Sequence, residues 1–138
     1  MADLFIRIIL GHLIGDYLLQ SKKQAINKTE PGLIGLAWSL WHCLLYTGSV
    51  CLMMWDFRPS VALLVFLSHW PIDRFCLGDK WLRMIGGRDL YAIYYSGEKY
   101  AEVEPSTIIG LSFGCVVYTV VDNTLHLLLL WIFMCLFF

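Results

Sequence analysis

Gly11-His12-Leu13-Ile14-Gly15-Asp16-Tyr17-Leu18-Leu19-Gln20 decides how the rest of this chain is read. A histidine, a carboxylate and an amide stand four residues apart inside an otherwise apolar run. On a helix, residues i and i+4 lie one above the other, so His12, Asp16 and Gln20 form a polar stripe on one face. The spacing returns as His69-x-x-x-Asp73 and, reversed, as Asp122-x-x-x-His126, while His42 is followed at the same interval by Tyr46. Together these residues read as one buried polar site assembled from several membrane helices.

The composition supplies the membrane that this reading needs. Of 138 residues, 59% are hydrophobic and only 15% charged, and the mean hydropathy is +0.66. A soluble domain is roughly 45–50% apolar and about 25% charged, so an integral membrane protein is expected. The length allows one compact domain and no second. With a formal net charge of -1 and no basic patch interleaved with aromatics, the chain points away from a nucleic-acid partner. Cys43, Cys51, Cys76, Cys115 and Cys135 show no C-x-x-C spacing, and all but Cys76 sit well inside apolar runs. They read as small buried hydrophobes rather than disulfides or thiolate ligands. The apolar start from Leu4 to Leu19 has no basic region before it and no small-x-small cleavage site after it, so it reads as a retained first span.

Four spans are expected, at about 2–20, 32–55, 60–78 and 107–137, set against the ~20 residues that cross a bilayer, the last being longer than one span requires. The fold class is therefore all-α, an integral membrane four-helix bundle forming a single transmembrane domain over 1–138. Pro71, between His69 and Asp73, is expected to kink the third helix and free a carbonyl beside the site. The connector 86–105, with Tyr91, Tyr94, Tyr95 and Tyr100 among mixed charges, suits a segment at the membrane interface. Lys22, Lys23, Lys28, Lys80, Arg83, Arg88 and Lys99 fall on one face and little beyond Arg58 on the other. The positive-inside rule makes the first face cytoplasmic and puts both termini outside.

This orientation makes the motif reversal meaningful. The first and third helices run inward and carry His before Asp; the fourth runs outward and carries Asp before His. In all three the aspartate lies one turn nearer the cytoplasm than its histidine, which implies a layer in space. Counting ~1.5 Å per residue, His12, His42 and His69 share mid-depth, and His126 joins them if its helix enters the bilayer near Cys115. Thr107 to Gly114 would then lie at the cytoplasmic interface. Asp16, Asp73 and Asp122 are the acids deep within apolar spans, and each has a histidine at four residues. An isolated charge there costs at least ~2.5–3.5 kcal/mol, whereas a metal cation neutralises carboxylates and accepts neutral imidazoles.

His12, Asp16, His42, His69, Asp73, Asp122 and His126 are thus the candidate ligands of one or two divalent ions. Without thiolates the set suits zinc, manganese or iron, with zinc foremost. Asp16, Asp73 or Asp122 would also serve as the catalytic carboxylate that orients or deprotonates a water. Two other readings use the same residues: hydrogen bonds that merely join helices, and a proton or ion pathway. Ligand type and repeated spacing favour the metal. Gln20 stands evenly between a supporting role and an interfacial one, Tyr46 reads as core packing, and Arg74 as an interfacial arginine reaching to the headgroups.

The segments HLIGDYLLQ, WHCLLY, SHWPIDRF and DNTLH resemble the motif set of the domain-of-unknown-function family numbered 3307, small membrane proteins of bacteria and their phages. The resemblance covers nearly the whole chain and is weakest across Gly86–Pro105. More distantly, the pattern is similar to inner-membrane metal-dependent hydrolases of the family said to bind the SOS repressor. That kinship implies a hydrolase of the bacterial inner membrane, and a site inside the bilayer implies a substrate that reaches it laterally, a lipid or other membrane-resident molecule. The alternatives are a proton- or metal-ion-coupled transporter or channel, and a non-catalytic phage-type membrane effector. Polar residues gathered in one layer favour a closed site over a path. Four short helices are few for enclosing a site, which points to a homo-oligomer.

The topology is directly testable. Reporter fusions after Lys28 and after Glu98 should report the cytoplasm, and a fusion after Phe138 the outside. Finding Lys28 and the C-terminus on one side would break the four-span count.

Overall fold

The computed structural model describes residues 2–86 and 105–137, and every element among them is a helix. In chain order these are α1 (Ala2–Leu13), running into a π-helical turn at Ile14–Leu18, α2 (Lys22–Asn27), α3 (Gly32–Met54), α4 (Pro59–Arg74), α5 (Leu77–Gly86) and α6 (Pro105–Phe137). The expected interfacial connector falls almost wholly outside the described residues. The chain forms two compact units, one of Met1–Cys76 with His126–Phe138 and the other of Leu77–Leu125.

In the first unit, Ile8, Tyr46, Val50, Cys51, Val61, Val65, Leu130 and Met134 form the apolar core. They come from α1, α3, α4 and the end of α6, and Phe5 meets Trp131 edge-to-face with ring centroids 5.1 Å apart. The close contact of α1 with α3 depends on two glycines. A Cβ on Gly11 would stand 2.7 Å from Val50 Cα, and one on Gly15 would stand 2.8 Å from Ser49 Oγ and from Tyr46 Cδ2. Gly11 and Gly15 are four apart, the small-xxx-small pattern that lets two membrane helices touch backbone to backbone. Ser49 seals the contact by donating its hydroxyl to the Gly11 carbonyl at 3.2 Å and the Tyr46 carbonyl at 2.7 Å.

Helix ends follow from local chemistry. Ser21 and Gln24 make a reciprocal capping box that starts α2 inside what the sequence reading treats as a plain polar connector. Pro59 occupies the first turn of α4, where its missing N–H is not needed. Trp55 ends α3 in the left-handed region (φ 58), and Cys76 (φ 49) follows the end of α4 in the same way. The third helix therefore stops at Arg74, three residues past Pro71, rather than near Gly78. In the turn after α3 the Arg58 guanidinium grips Asp56 (Nη2 to Oδ2 2.7 Å) and holds its carboxyl below the usual range.

Polarity is arranged inside out. His12, His42, His69 and His126 are all at most 1% exposed, whereas Leu33, Ile34, Trp55 and Leu136 are at least 70% exposed. A water-soluble domain has the reverse distribution. Among the described residues two helices are long and apolar enough to cross a membrane, Gly32–Met54 and Ser112–Phe137; a third qualifies only if Pro59–Arg74 and Leu77–Ile85 together make one span. Cys43 and Cys51 are buried as expected, but Cys115 and Cys135 are exposed; Cys135 does not share the side of α6 that Leu130 and Met134 pack into the core.

The glycine contact predicts opposite signs for the same substitution. Gly11→Ala should destabilise the detergent-solubilised protein by about 1–3 kcal/mol, because it overpacks against backbone. Gly48→Ala, with nothing within 4 Å of its new Cβ, should be neutral or stabilising by up to ~1 kcal/mol. Thermal unfolding of the two variants beside the wild type decides it.

Candidate metal centre

The site begins with the π-turn. Leu19 N–H bonds to the Ile14 carbonyl at 3.0 Å, five residues back, so the turn holding Asp16 carries one residue more than an α-turn. Such turns are rare and recur at functional sites. Asp16 still meets its helical neighbour, with Oδ2 3.4 Å from His12 Nδ1. Gln20 leaves the helix and brings its Nε2 to 3.2 Å from both ring nitrogens of His42. The stripe read from the sequence thus converges on one place, though the third member arrives by a turn of chain rather than by helical spacing.

At its centre two imidazoles face each other, His42 Nε2 and His69 Nε2, 3.1 Å apart. Asp73 Oδ2 lies 3.0 Å from the first and 3.2 Å from the second. Asp16 Oδ1 lies 3.2 Å and 3.4 Å from the same two nitrogens. Two triangles of ligand atoms therefore share the His42–His69 edge. The outer oxygen of each carboxylate turns to a further histidine: Asp16 Oδ2 to His12 Nδ1 at 3.4 Å, and Asp73 Oδ1 to His126 Nε2 at 3.4 Å.

Ring stacking fixes the imidazoles. His69 lies between Tyr46, with centroids 3.6 Å apart and planes 14° from parallel, and His126 at 4.2 Å. Tyr46 does more than pack the core, because its hydroxyl also meets His12 Nδ1 at 3.1 Å. His12, His42, His69, Asp73 and His126 are buried, and Asp16 is mostly so.

These distances test whether a metal fits. Three tetrahedral ligands about 2.0–2.1 Å from one ion stand roughly 3.3 Å apart. Both triangles have edges of 3.0–3.4 Å. Proton sharing alone does not account for them, since one ring N–H on His42 Nε2 cannot serve Asp16, Asp73 and His69 together. Asp16 Oδ1 is buried and accepts no well-directed hydrogen bond. A buried carboxylate oxygen in that condition is costly unless a cation sits beside it. The residues fit a metal ion.

Six of the seven sequence-derived candidates meet here: His12, Asp16, His42, His69, Asp73 and His126. The seventh, Asp122, lies in the second unit, where a Cβ on Gly78 would stand 2.7 Å from its Oδ1. Two residues that sequence reasoning gave other roles also belong to the centre. Lys28 Nζ reaches Asp73 Oδ2 at 2.6 Å. Arg74 turns back onto the α2–α3 connector and donates Nη1 to the carbonyls of Lys28 (3.0 Å) and Glu30 (2.8 Å). Its job is to anchor that connector. The signal for it was Arg74 directly after Asp73, but the partner carbonyls are backbone and leave no mark in a sequence.

The fold and site define a class: helical proteins with membrane-length apolar helices around a buried histidine–aspartate cluster. The model of a protein family of unknown function, DUF3307, matches residues 4–87. The chain belongs to that family. The match takes in Asp16, His42, His69 and Asp73 and stops short of His126. No curated protein and no solved structure matches the chain.

Arg74→Met should release the connector and with it the restraint on Lys28. Limited trypsinolysis in detergent should then cut after Lys22, Lys23 or Lys28 at least several-fold faster than in the wild type, because local opening sets proteolytic access. An unchanged rate would mean that the capping box alone holds the segment.

Proposed function

We propose that this chain is a four-span protein of the bacterial inner membrane whose histidine–aspartate cluster holds a divalent metal ion, zinc foremost, and hydrolyses a bond in a lipid or other membrane-resident substrate. The observation that carries the reading is the crowding at His42 Nε2, with Asp16 Oδ1, Asp73 Oδ2 and His69 Nε2 all within 3.2 Å of it. Those four side chains would hold the ion. A bound divalent ion supplies acidification of a water towards pKa ~7 and polarisation of the scissile group's oxygen.

The chain's own residues divide the remaining work. His12 and His126 approach the outer carboxylate oxygens and fix the direction of the inner ones, a support that usually matters 10–100-fold in metal affinity. Asp73 already carries an ammonium on Oδ2, while Asp16 has no lysine or arginine partner among the described residues. Asp16 is therefore the carboxylate available to take a proton from water. His12 Nδ1 lies against both Asp16 Oδ2 and the Tyr46 hydroxyl, so its tautomer decides whether it donates a proton towards Asp16 or accepts one from Tyr46.

The inside-out polarity supports the membrane assignment, and the lysines at 22, 23 and 28 support a cytoplasmic α2. A substrate then reaches the site laterally from the bilayer. A transport path needs polar groups spread along the membrane normal; here they crowd into one cluster, which favours hydrolysis.

Metal analysis of detergent-purified protein tests the reading. Wild type should hold close to one or two equivalents of metal. His42→Ala, His69→Ala and Asp73→Ala should each lower affinity by more than ~100-fold, and His12→Ala by about 10–100-fold. Cys43→Ala and Cys115→Ala should leave the content unchanged. Stoichiometric metal in all the ligand variants, or none in the wild type, rules the centre out.

A further inference from the structure

The cluster contains a cation that metal binding alone does not require. Lys28 Nζ stands 2.6 Å from Asp73 Oδ2, the same oxygen that faces both central imidazoles, and the lysine side chain is only 15% exposed. Its position is built rather than incidental. The lysine N–H closes α2 onto the Gln24 carbonyl at 2.9 Å, and Arg74 holds the carbonyls of Lys28 and Glu30. Gly35 presses against the Glu30 carbonyl so closely that no Cβ fits there. Four backbone constraints thus aim one ammonium at the centre.

Charge then selects the ligand. Lys28 sets a full ammonium beside the place where a divalent ion would sit, and both cations favour an anionic oxygen in a water-poor surrounding. A neutral ester or amide offers no such charge, whereas a phosphate oxygen does.

We infer that Lys28 is the anion-binding residue of this site and that the group it receives is a phosphate ester. The inference rests on the metal reading above. In hydrolysis, a water oxygen forms the new bond to phosphorus as the bond to the alcohol oxygen breaks. The proton taken by Asp16 is returned to the departing alkoxide. Lys28 meanwhile holds a non-bridging oxygen.

The test compares zinc-loaded wild type, Lys28→Gln and Lys28→Arg in detergent, with metal content measured on each sample. Binding of inorganic phosphate, dihexanoyl phosphatidic acid and phosphate-free dihexanoylglycerol is followed by titration calorimetry. Lys28→Gln should keep its zinc and lose about tenfold or more in affinity for the phosphate ligands, the worth of one charge-assisted hydrogen bond. Lys28→Arg should retain most of it, and dihexanoylglycerol should not respond to either change. Tighter binding of phosphatidic acid than of phosphate makes the ligand a lipid headgroup, and the reverse makes it a soluble phosphate. Zinc-loaded Lys28→Gln binding phosphate as well as wild type overturns the inference and leaves the metal reading standing. Loss of zinc from Lys28→Gln overturns it too, by making the lysine a support for the Asp73 carboxylate. A wild type without zinc sinks the metal reading and this inference together, and the metal assay alone identifies that outcome.

Discussion

The structure depends on one contact, the approach of His42 Nε2 to His69 Nε2 at 3.1 Å with a carboxylate oxygen on either side. Every element of the first unit serves it. α3 and α4 bring the two imidazoles, the π-turn after α1 brings Asp16, α4 brings Asp73, and the end of α6 brings His126 behind Asp73. So many polar groups packed among apolar helices are unfavourable unless each has a partner. The fold answers by drawing partners from within the same cluster, with Asp16 Oδ1 left accepting no well-directed hydrogen bond. Stability and site are consequently one problem in this protein, since removing one partner leaves another buried and unmatched.

Close packing is the means. The carboxylate at Asp16 can reach α3 and α4 only because α1 approaches α3 with its backbone, through Gly11 and Gly15. Tyr46 lies at that contact, flat against His69 and bonded to His12, so one residue transmits the position of α1 to the imidazole on α4. Cores of this density do not deform gradually, and a displaced α1 would shift the ligand geometry as a whole. The connector works in the same sense from outside: Arg74, beside the ligand Asp73, ties down the loop that delivers Lys28 to that ligand. Family membership over residues 4–87 covers this machinery except for His126.

Much of the site was legible in the sequence because it uses a local rule. Residues four apart on a helix share a face, so His12/Asp16 and His69/Asp73 announced themselves as pairs, and both pairs meet. His42 had no acidic partner at that interval and was placed by depth alone; it proves to be central. Of the four expected spans, two stand among the described residues as membrane-length apolar helices, legible because hydropathy is additive along the chain. The capping box Ser21-x-x-Gln24 and the Gly11-x-x-x-Gly15 spacing were present in the letters, and their meaning follows from the same periodicity.

Tertiary structure decided what no interval encodes. The π-turn arises from a shifted backbone bond, which leaves no side-chain signature. Lys28 and Asp73 are 45 residues apart, and Arg74 acts on carbonyls, which are the same for every residue. Sequence periodicity determined which residues share a helix face; only the folding of helices against one another decided which of those faces converge, since that depends on distances across space rather than along the chain.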